Sequence, residues 1–451
     1  MKIYDSIQSV KGPLVIVEGV SGVAFKEIVH ITLQDGSMVQ GQVLAIEDDK
    51  VIIQAFEPTM GFSVSDIKVK FTGKTAKMGV SSDMLGRLFS GVGKPIDNLP
   101  YLAEKYVDIN GAPLNPTARI TPDEFIQTGI STIDCMMPIC RGQKLPIFSL
   151  TGLPQNKLAA QIARQAKVKD GKDFAVVFCA MGITESEKAF FIDEFTNTGS
   201  LQNTVLFLNL ARDPTVERIM APRCALSVAE YLAFEEGKQV LVVMTDMTNY
   251  CDALREISSA RQEVPGRRGY PGYMYTDLAS LYERAGKTSS SKGSITQIPI
   301  LTMPGDDKTH PVPDLTGYIT EGQIVLDRVL NKKGYMPPIN ILGSLSRLKV
   351  NKKEVRDDAG ALAQQMYAAY ATGLELRDLV AVVGREALSE RDVQYLDFSD
   401  AFEKEFVNQG FSENRELEET LDLGWKLLTL IPKNELKKVK ADMIEKYYPK
   451  K

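Results

Sequence analysis

Two stretches of this chain carry the residue types that phosphate chemistry needs. In Ile339-Asn340-Ile341-Leu342-Gly343-Ser344-Leu345-Ser346-Arg347-Leu348, one arginine follows a Pro-Pro-introduced apolar segment and what reads as a small-residue, Ser-rich turn. A guanidinium is always charged and presents a rigid fork of donors that matches phosphate oxygens in pairs. Taken alone, these ten residues favour an ordinary surface or ion-paired arginine; an arginine lent to a neighbouring site is the alternative. The second stretch is Thr151-Gly152-Leu153-Pro154-Gln155-Asn156-Lys157-Leu158, between an apolar run and an Ala-rich helical pattern. A strand-to-helix turn is the right place for a phosphate cradle. A working loop G-x-x-x-x-G-K-[ST] also needs glycines that bring backbone amides onto phosphate, and a hydroxyl for magnesium. Counting back from Lys157, the glycine positions hold Thr151 and Asn156, and the hydroxyl position holds Leu158. Gly152, Asn156, Lys157 and Leu158 therefore read as a degenerate loop or a plain turn.

The elements that must position these stretches change character along the chain. Leu14–Val17, Glu27–Leu33, Gly41–Ile46 and Val51–Phe56 are short β-branched runs separated by turn residues such as Asp35-Gly36. Such spacing predicts a small barrel or sandwich. A Gly- and Pro-rich connection follows, around Gly91–Pro95 and Gly111–Pro113. Leu145–Leu150, Phe174–Phe178, Val205–Leu208 and Val240–Met244 are then continuous apolar runs, with a further strand expected over Ser294–Met303. Continuous rather than alternating runs predict strands covered on both faces, as in a parallel sheet. With helical patterns between them, they predict an α/β domain. Beyond about residue 350 the spacing predicts helices over Asp358–Tyr370, Leu376–Leu388 and Phe402–Gln409, with a basic helix surface over Glu435–Lys440. The expected division is 1–74, 75–347 and 348–451, in keeping with about three domains for this length.

Composition narrows the function classes. The 451 residues are 44% hydrophobic and 25% charged, ordinary values for a globular protein with a large core. A net charge of −5 argues against broad nucleic-acid binding, which needs a basic footprint. Met1-Lys2-Ile3-Tyr4-Asp5 opens no apolar signal segment, and no run approaches membrane-spanning length. The five cysteines, without a secretory context, and the two histidines, His30 and His310, suggest neither a disulfide framework nor a zinc set.

Several long segments, all in one order, resemble the B subunit of the vacuolar/archaeal-type rotary ATPases, including its bacterial members. They are Asp123–Ile130, Arg141–Ser149, Leu158–Ala166, Met244–Tyr250, Glu263–Tyr273 and Asp306–Pro311. The resemblance implies an N-terminal β-barrel forming a crown, a RecA-like α/β core and a C-terminal helical domain. It also implies three such chains alternating with three catalytic A subunits around a rotor shaft, with peripheral stalk subunits beside them. Such a complex couples ATP hydrolysis or synthesis to H⁺ or Na⁺ transport. This chain would be peripheral, on the cytoplasmic side, and would meet the membrane only through other subunits.

Catalytic requirements can be tested against that family. Aligning Ala253–Ser258 with a similar run in the catalytic subunits puts Thr245 where they carry a magnesium-binding acid. Asp246, one place later, would face the other side of a strand. The catalytic G-E-R segment corresponds to Met181-Gly182-Ile183-Thr184, which has no carboxylate; Glu185 and Glu187 are expected on a helix surface. Hydrolysis by this chain alone is therefore not expected. In the family, the arginine of the S-L-S-R-L run crosses to the neighbouring catalytic site, which makes Arg347 a finger in trans. Ser346, Tyr318 and Asn340 would lie at that nucleotide interface. ATP or ADP with Mg²⁺ would be held there mainly by the catalytic A subunits, and no nucleotide would be bound tightly by this chain alone. Arg267 and Arg268, in a Gly- and Pro-bracketed loop, would face the rotor. A self-sufficient export-type or helicase-type ATPase and a purely structural scaffold are the rival readings.

Overall fold

The structure is a computed structural model that describes residues 2–11, 14–56, 64, 67–168 and 173–449. Seven strands come first: β1 (Lys2–Tyr4), β2 (Ile7–Lys11), β3 (Leu14–Glu18), β4 (Glu27–Thr32), β5 (Met38–Glu47), β6 (Lys50–Ala55) and β7 (Lys68–Thr75). Next are β8 (Lys77–Val80), β9 (Leu88–Ser90), β10 (Lys105–Asp108), β11 (Ile147–Leu150), α1 (Gln155–Gln165), β12 (Phe174–Ile183), α2 (Glu185–Asn197), β13 (Thr204–Leu210) and α3 (Thr215–Glu230). The chain continues through β14 (Gln239–Thr245), α4 (Met247–Ala260), α5 (Met274–Tyr282), β15 (Ser294–Met303), α6 (Pro311–Ile319), β16 (Gly322–Leu326), α7 (Arg328–Lys332) and β17 (Ile339–Ser346). It ends in α8 (Ala359–Val383), α9 (Glu390–Ala401), α10 (Leu417–Leu428) and α11 (Ala441–Tyr447). Among the described residues, no helix is long and apolar enough to cross a membrane.

Contacts divide the chain into two compact units. The first comprises Met1–Pro113, Val177–Glu235 and Asp246–Arg284. Its N-terminal part is an antiparallel, barrel-like sheet in the order β1-β7-β4-β5-β6-β3-β2. Alternation puts Val29 and Ile31 of β4 inward beside Val15, Val43 and Ile53. Glu27 also points inward, and its carboxylate accepts from the amides of Ala24 and Gly73, so a buried acid is satisfied by the turns it closes. The Gly- and Pro-rich connection is more than a linker, because β9 within it pairs in parallel with β13.

The second unit comprises Leu114–Val176, Glu236–Thr245 and Ala285–Lys451. Its sheet runs β17-β16-β11-β15-β14. β11 lies parallel to β15 and β16, β15 parallel to β14, and β17 returns antiparallel to β16. Every residue of β14 is buried, the burial expected of its continuous apolar run. The helices that follow correct two expectations. Asp358–Tyr370 and Leu376–Leu388 are not separate helices: α8 runs unbroken to Val383 and stops at Gly384, whose φ is 82°. Gly373 lies inside it because α9 packs there, where a β-carbon would stand 2.8 Å from the Tyr395 carbonyl oxygen. Glu435–Lys440 is not a helix surface; it is a turn region that buries Leu436 and Val439. Phe402–Val407 continues α9 as a wider π-helical turn, with Phe402 stacked on Phe398 and Phe406.

Polar bonds fasten this bundle to the segment that leads into β17. The amide of Gln409 donates to the Met336 carbonyl at 2.6 Å, and its buried side chain joins the Gly129 carbonyl and the Ser131 amide at 2.5 and 3.1 Å. Glu403, also buried, pairs with Lys333 and Arg377 at 2.6 and 2.5 Å and accepts from the Tyr370 hydroxyl. Burial pushes the Glu403 carboxyl up, but Arg377 and Lys333 outweigh that and hold it below its usual range. Because the folded value is lowered, this stabilisation is complete above the ordinary glutamate pKa and is lost as pH falls through the lower folded value. Glu403→Ala leaves two cations facing a buried gap and is expected to cost about 3–5 kcal/mol in denaturant unfolding at neutral pH. The difference between variant and parent should shrink as pH falls below about 4; a loss under about 1 kcal/mol, or one independent of pH, would rule out this role.

Candidate functional site

The segment that carries Arg347 is not the turn its small residues suggest. Gly343 to Ser346 are part of strand β17, and the serines explain why. Ser344 Oγ donates to the Asn340 carbonyl at 2.5 Å and accepts the Val325 amide at 2.8 Å across an irregular register, replacing a ladder bond. Ser346 Oγ accepts from Gln143 Nε2 at 2.9 Å. Asn340 is engaged at both ends of its amide, donating to Asp327 and accepting from the Gly343 amide.

Arg347 sits one residue past the strand, exposed. Its amide donates to the Glu321 carbonyl at 2.9 Å, and Nη1 reaches the Thr320 carbonyl at 3.3 Å. Among the described residues no carboxylate of its own chain pairs with it. The backbone beneath is fixed by Lys144, which is 4% exposed and meets the Glu321 carboxylate at 2.9 Å. The other oxygen of Glu321 accepts the Lys144 amide at 2.7 Å. Gly322 permits the close approach: a β-carbon there would overlap the Leu345 carbonyl. Tyr318, on α6 just before this clamp, is 75% exposed and so is not a core tyrosine. Gln143, Lys144, Glu321 and Gly322 were not singled out from sequence. The first two lie within Arg141–Ser149, but nothing local signals a pairing across 177 residues.

The degenerate loop occupies the turn between β11 and α1 and binds itself. Thr245 Oγ1 donates to Asn156 Oδ1 at 3.1 Å, so the residue at the magnesium position bonds the residue at the second glycine position. Thr245 is 1% exposed. Gln155 accepts from Ser149 Oγ at 3.2 Å and donates to Thr302 at 3.4 Å. Arg328 spans the outside of the turn, donating to the Thr151 carbonyl at 3.1 Å while paired with Asp306 at 2.8 Å. Gly152 adopts φ 81° with open space beside it, Lys157 is exposed and Leu158 is buried. These groups do not fit a magnesium nucleotide: Leu158 replaces the loop hydroxyl, the position of the acid holds a Thr245 hydroxyl already bonded to Asn156, and the Asn156 side chain stands where phosphate needs bare backbone.

The other candidate acids are each engaged within the chain. Asp246 is not a strand residue aimed at the wrong face, because β14 ends at Thr245; Asp246 caps α4, accepting the Thr248 amide at 2.8 Å. Glu187 closes a capping box with Thr184 at the start of α2, and Glu185 pairs with Arg212 at 2.5 Å. Arg267 and Arg268 lie exposed in a loop closed by the Gly266 amide on the Tyr270 carbonyl at 2.8 Å, with Arg268 at φ 55°.

Matches to known proteins cover these parts in order. The beta-barrel domain of the ATP synthase alpha/beta family matches residues 7–73, and the nucleotide-binding domain of that family matches 129–346. The C-terminal domain of V and A type ATP synthase matches 348–448. Among solved structures, the ATP synthase subunit NeqB from Nanoarcheaum equitans is 43% identical, with a TM-score of 0.74, over 92% of this chain and 98% of that one. With a barrel-like sheet, a parallel-stranded nucleotide-binding domain and a helical C-terminal domain in this order, the chain belongs to the V and A type branch of the ATP synthase alpha/beta family and is one component of a multisubunit complex.

Proposed function

We propose that this chain is the non-catalytic, regulatory B subunit of such a complex, and that it supplies Arg347 in trans to a neighbouring catalytic A subunit. The observation that carries this reading is an exposed guanidinium on a clamped strand end, with no carboxylate of its own chain among the described residues. Ordinary surface arginines gain little from rigid placement; a group that must meet a developing phosphoryl charge gains a great deal. The self-bonded loop supports the second half of the reading, since a chain without magnesium ligands has no use for an arginine finger at its own nucleotide.

In this reading three B subunits alternate with three A subunits. ATP or ADP with Mg²⁺ is held mainly by the A subunits, while Tyr318 and Ser346 lie beside Arg347 at the interface. Residues 1–74 form the crown, 75–347 the core and 348–451 the helical domain. Arg267 and Arg268 face the central rotor, and peripheral stalk subunits hold the head still. Nucleotide binding shifts A–B interfaces between open and closed states through contacts that differ in each. Those shifts drive H⁺ or Na⁺ transport, or ATP synthesis in reverse, from the cytoplasmic side of the membrane.

Two measurements test this. In a reconstituted A–B hexamer, Arg347→Ala is expected to lower steady-state ATP hydrolysis by about 10³-fold or more, with assembly unchanged by sedimentation. Near-normal turnover would leave a scaffold. For the chain alone, calorimetric titration with ATP should show no gain in affinity on adding Mg²⁺, and no hydrolysis. A tenfold gain, abolished by Lys157→Ala, would mean that the Thr151–Leu158 turn holds a magnesium nucleotide after all.

A further inference from the structure

The first unit contains a cleft of about 360 Å³ between residues of β4, β5 and β7 in the barrel-like sheet, the turn after β9 and the first turns of α3. None of its lining residues belongs to the sites described above. Among the described residues, its charged and titratable lining consists of Lys74, Lys77, Lys94, His30 and a single carboxylate, Glu217. In a chain of net charge −5, three ammonium groups around one small cleft run against the overall composition. None of the three makes an ion pair or side-chain hydrogen bond among the described residues. The acid opposite Lys77 in the β8–β10 ladder, Asp108, is already engaged by the Thr75 hydroxyl at 2.6 Å and the Asn110 amide at 2.8 Å.

The lysines are rooted on fixed backbone. Lys94 ends a turn closed by the Ser90 amide on its carbonyl at 2.8 Å and by the Gly93 amide on the Ser90 carbonyl at 2.9 Å. Gly91 lets that turn press on α3, where a β-carbon would stand 2.8 Å from the Glu217 carbonyl oxygen. Lys74 follows Gly73, whose amide is held by Glu27 at 2.5 Å, and Thr72, whose hydroxyl donates to the Ile28 carbonyl at 2.7 Å. Like charges lining a concave, partly apolar cleft focus a positive potential. Lysine binds phosphate as a point charge that tolerates varied geometry, and the volume suits a small ligand.

We propose that this cleft binds a small polyphosphate anion, with Lys74, Lys77 and Lys94 each neutralising one phosphate group. The test is calorimetric titration of the purified full chain with sodium tripolyphosphate, without magnesium, at low and high salt. Saturable one-to-one binding is expected, weakening as salt screens the charges. Lys74→Ala, Lys77→Ala and Lys94→Ala should each weaken it by about tenfold, and the triple variant should not bind. All three side chains are exposed, so circular dichroism should report an unchanged fold. Lys157→Ala, in the degenerate loop, should leave the affinity unchanged. The proposal fails if the parent chain shows no saturable binding, if the triple variant binds normally, or if Lys157→Ala abolishes binding.

Discussion

A guanidinium held by the Thr320 carbonyl oxygen, with no carboxylate of its own chain among the described residues to neutralise it, is the constraint on which this end of the sheet depends. A fully paired arginine would be inert toward a phosphate, and one on a loose tail would give up its electrostatic advantage to entropy. The chain meets both demands by placing its charge pairing one layer deeper. Lys144, itself buried, pairs with the half-buried Glu321, and Gln143 ties down Ser346. The positive charge at the surface is then left for something else. A pair with one buried partner contributes less to stability than to fixing one geometry, and here the fixed geometry is a strand end.

The nucleotide turn shows the opposite arrangement. Its polar groups are turned on one another: Thr245 on Asn156, Gln155 on Ser149 and Thr302. A buried hydroxyl without a partner is costly, so once the acid and the glycine are absent, the side chains in their places must find local bonds. The loop keeps its place between β11 and α1 because the parallel sheet requires a connection there, whether or not that connection holds phosphate.

How much of this was legible in the sequence depended on how local the cause was. Runs such as Val240–Met244 declared their strands because burial on both faces leaves no room for polar alternation. The departure from a working phosphate loop was legible from Asn156 and Leu158, which stand at its second glycine and its hydroxyl. The gap left between Tyr370 and Leu376 does not exist: the helix runs through it, and Gly373 within it lets α9 pack closely. Gly343 to Ser346 misled because a serine hydroxyl standing in for a ladder bond looks, in sequence, like turn chemistry. The Lys144–Glu321 clamp had no local signature at all.

Gln409 has a consequence for how the chain is made. Its side chain completes the hydrogen bonds of Gly129 and Ser131, partners 280 and 278 residues earlier. Contacts of such long range form late, because the chain entropy they cost must be met before they return anything. During synthesis the Gly129–Ser131 segment therefore waits, with its polar groups on water, until the last helices leave the ribosome. A chain truncated before the bundle would present the nucleotide-binding core with that seam open, and the cell would meet it as an unfinished protein rather than a shorter one.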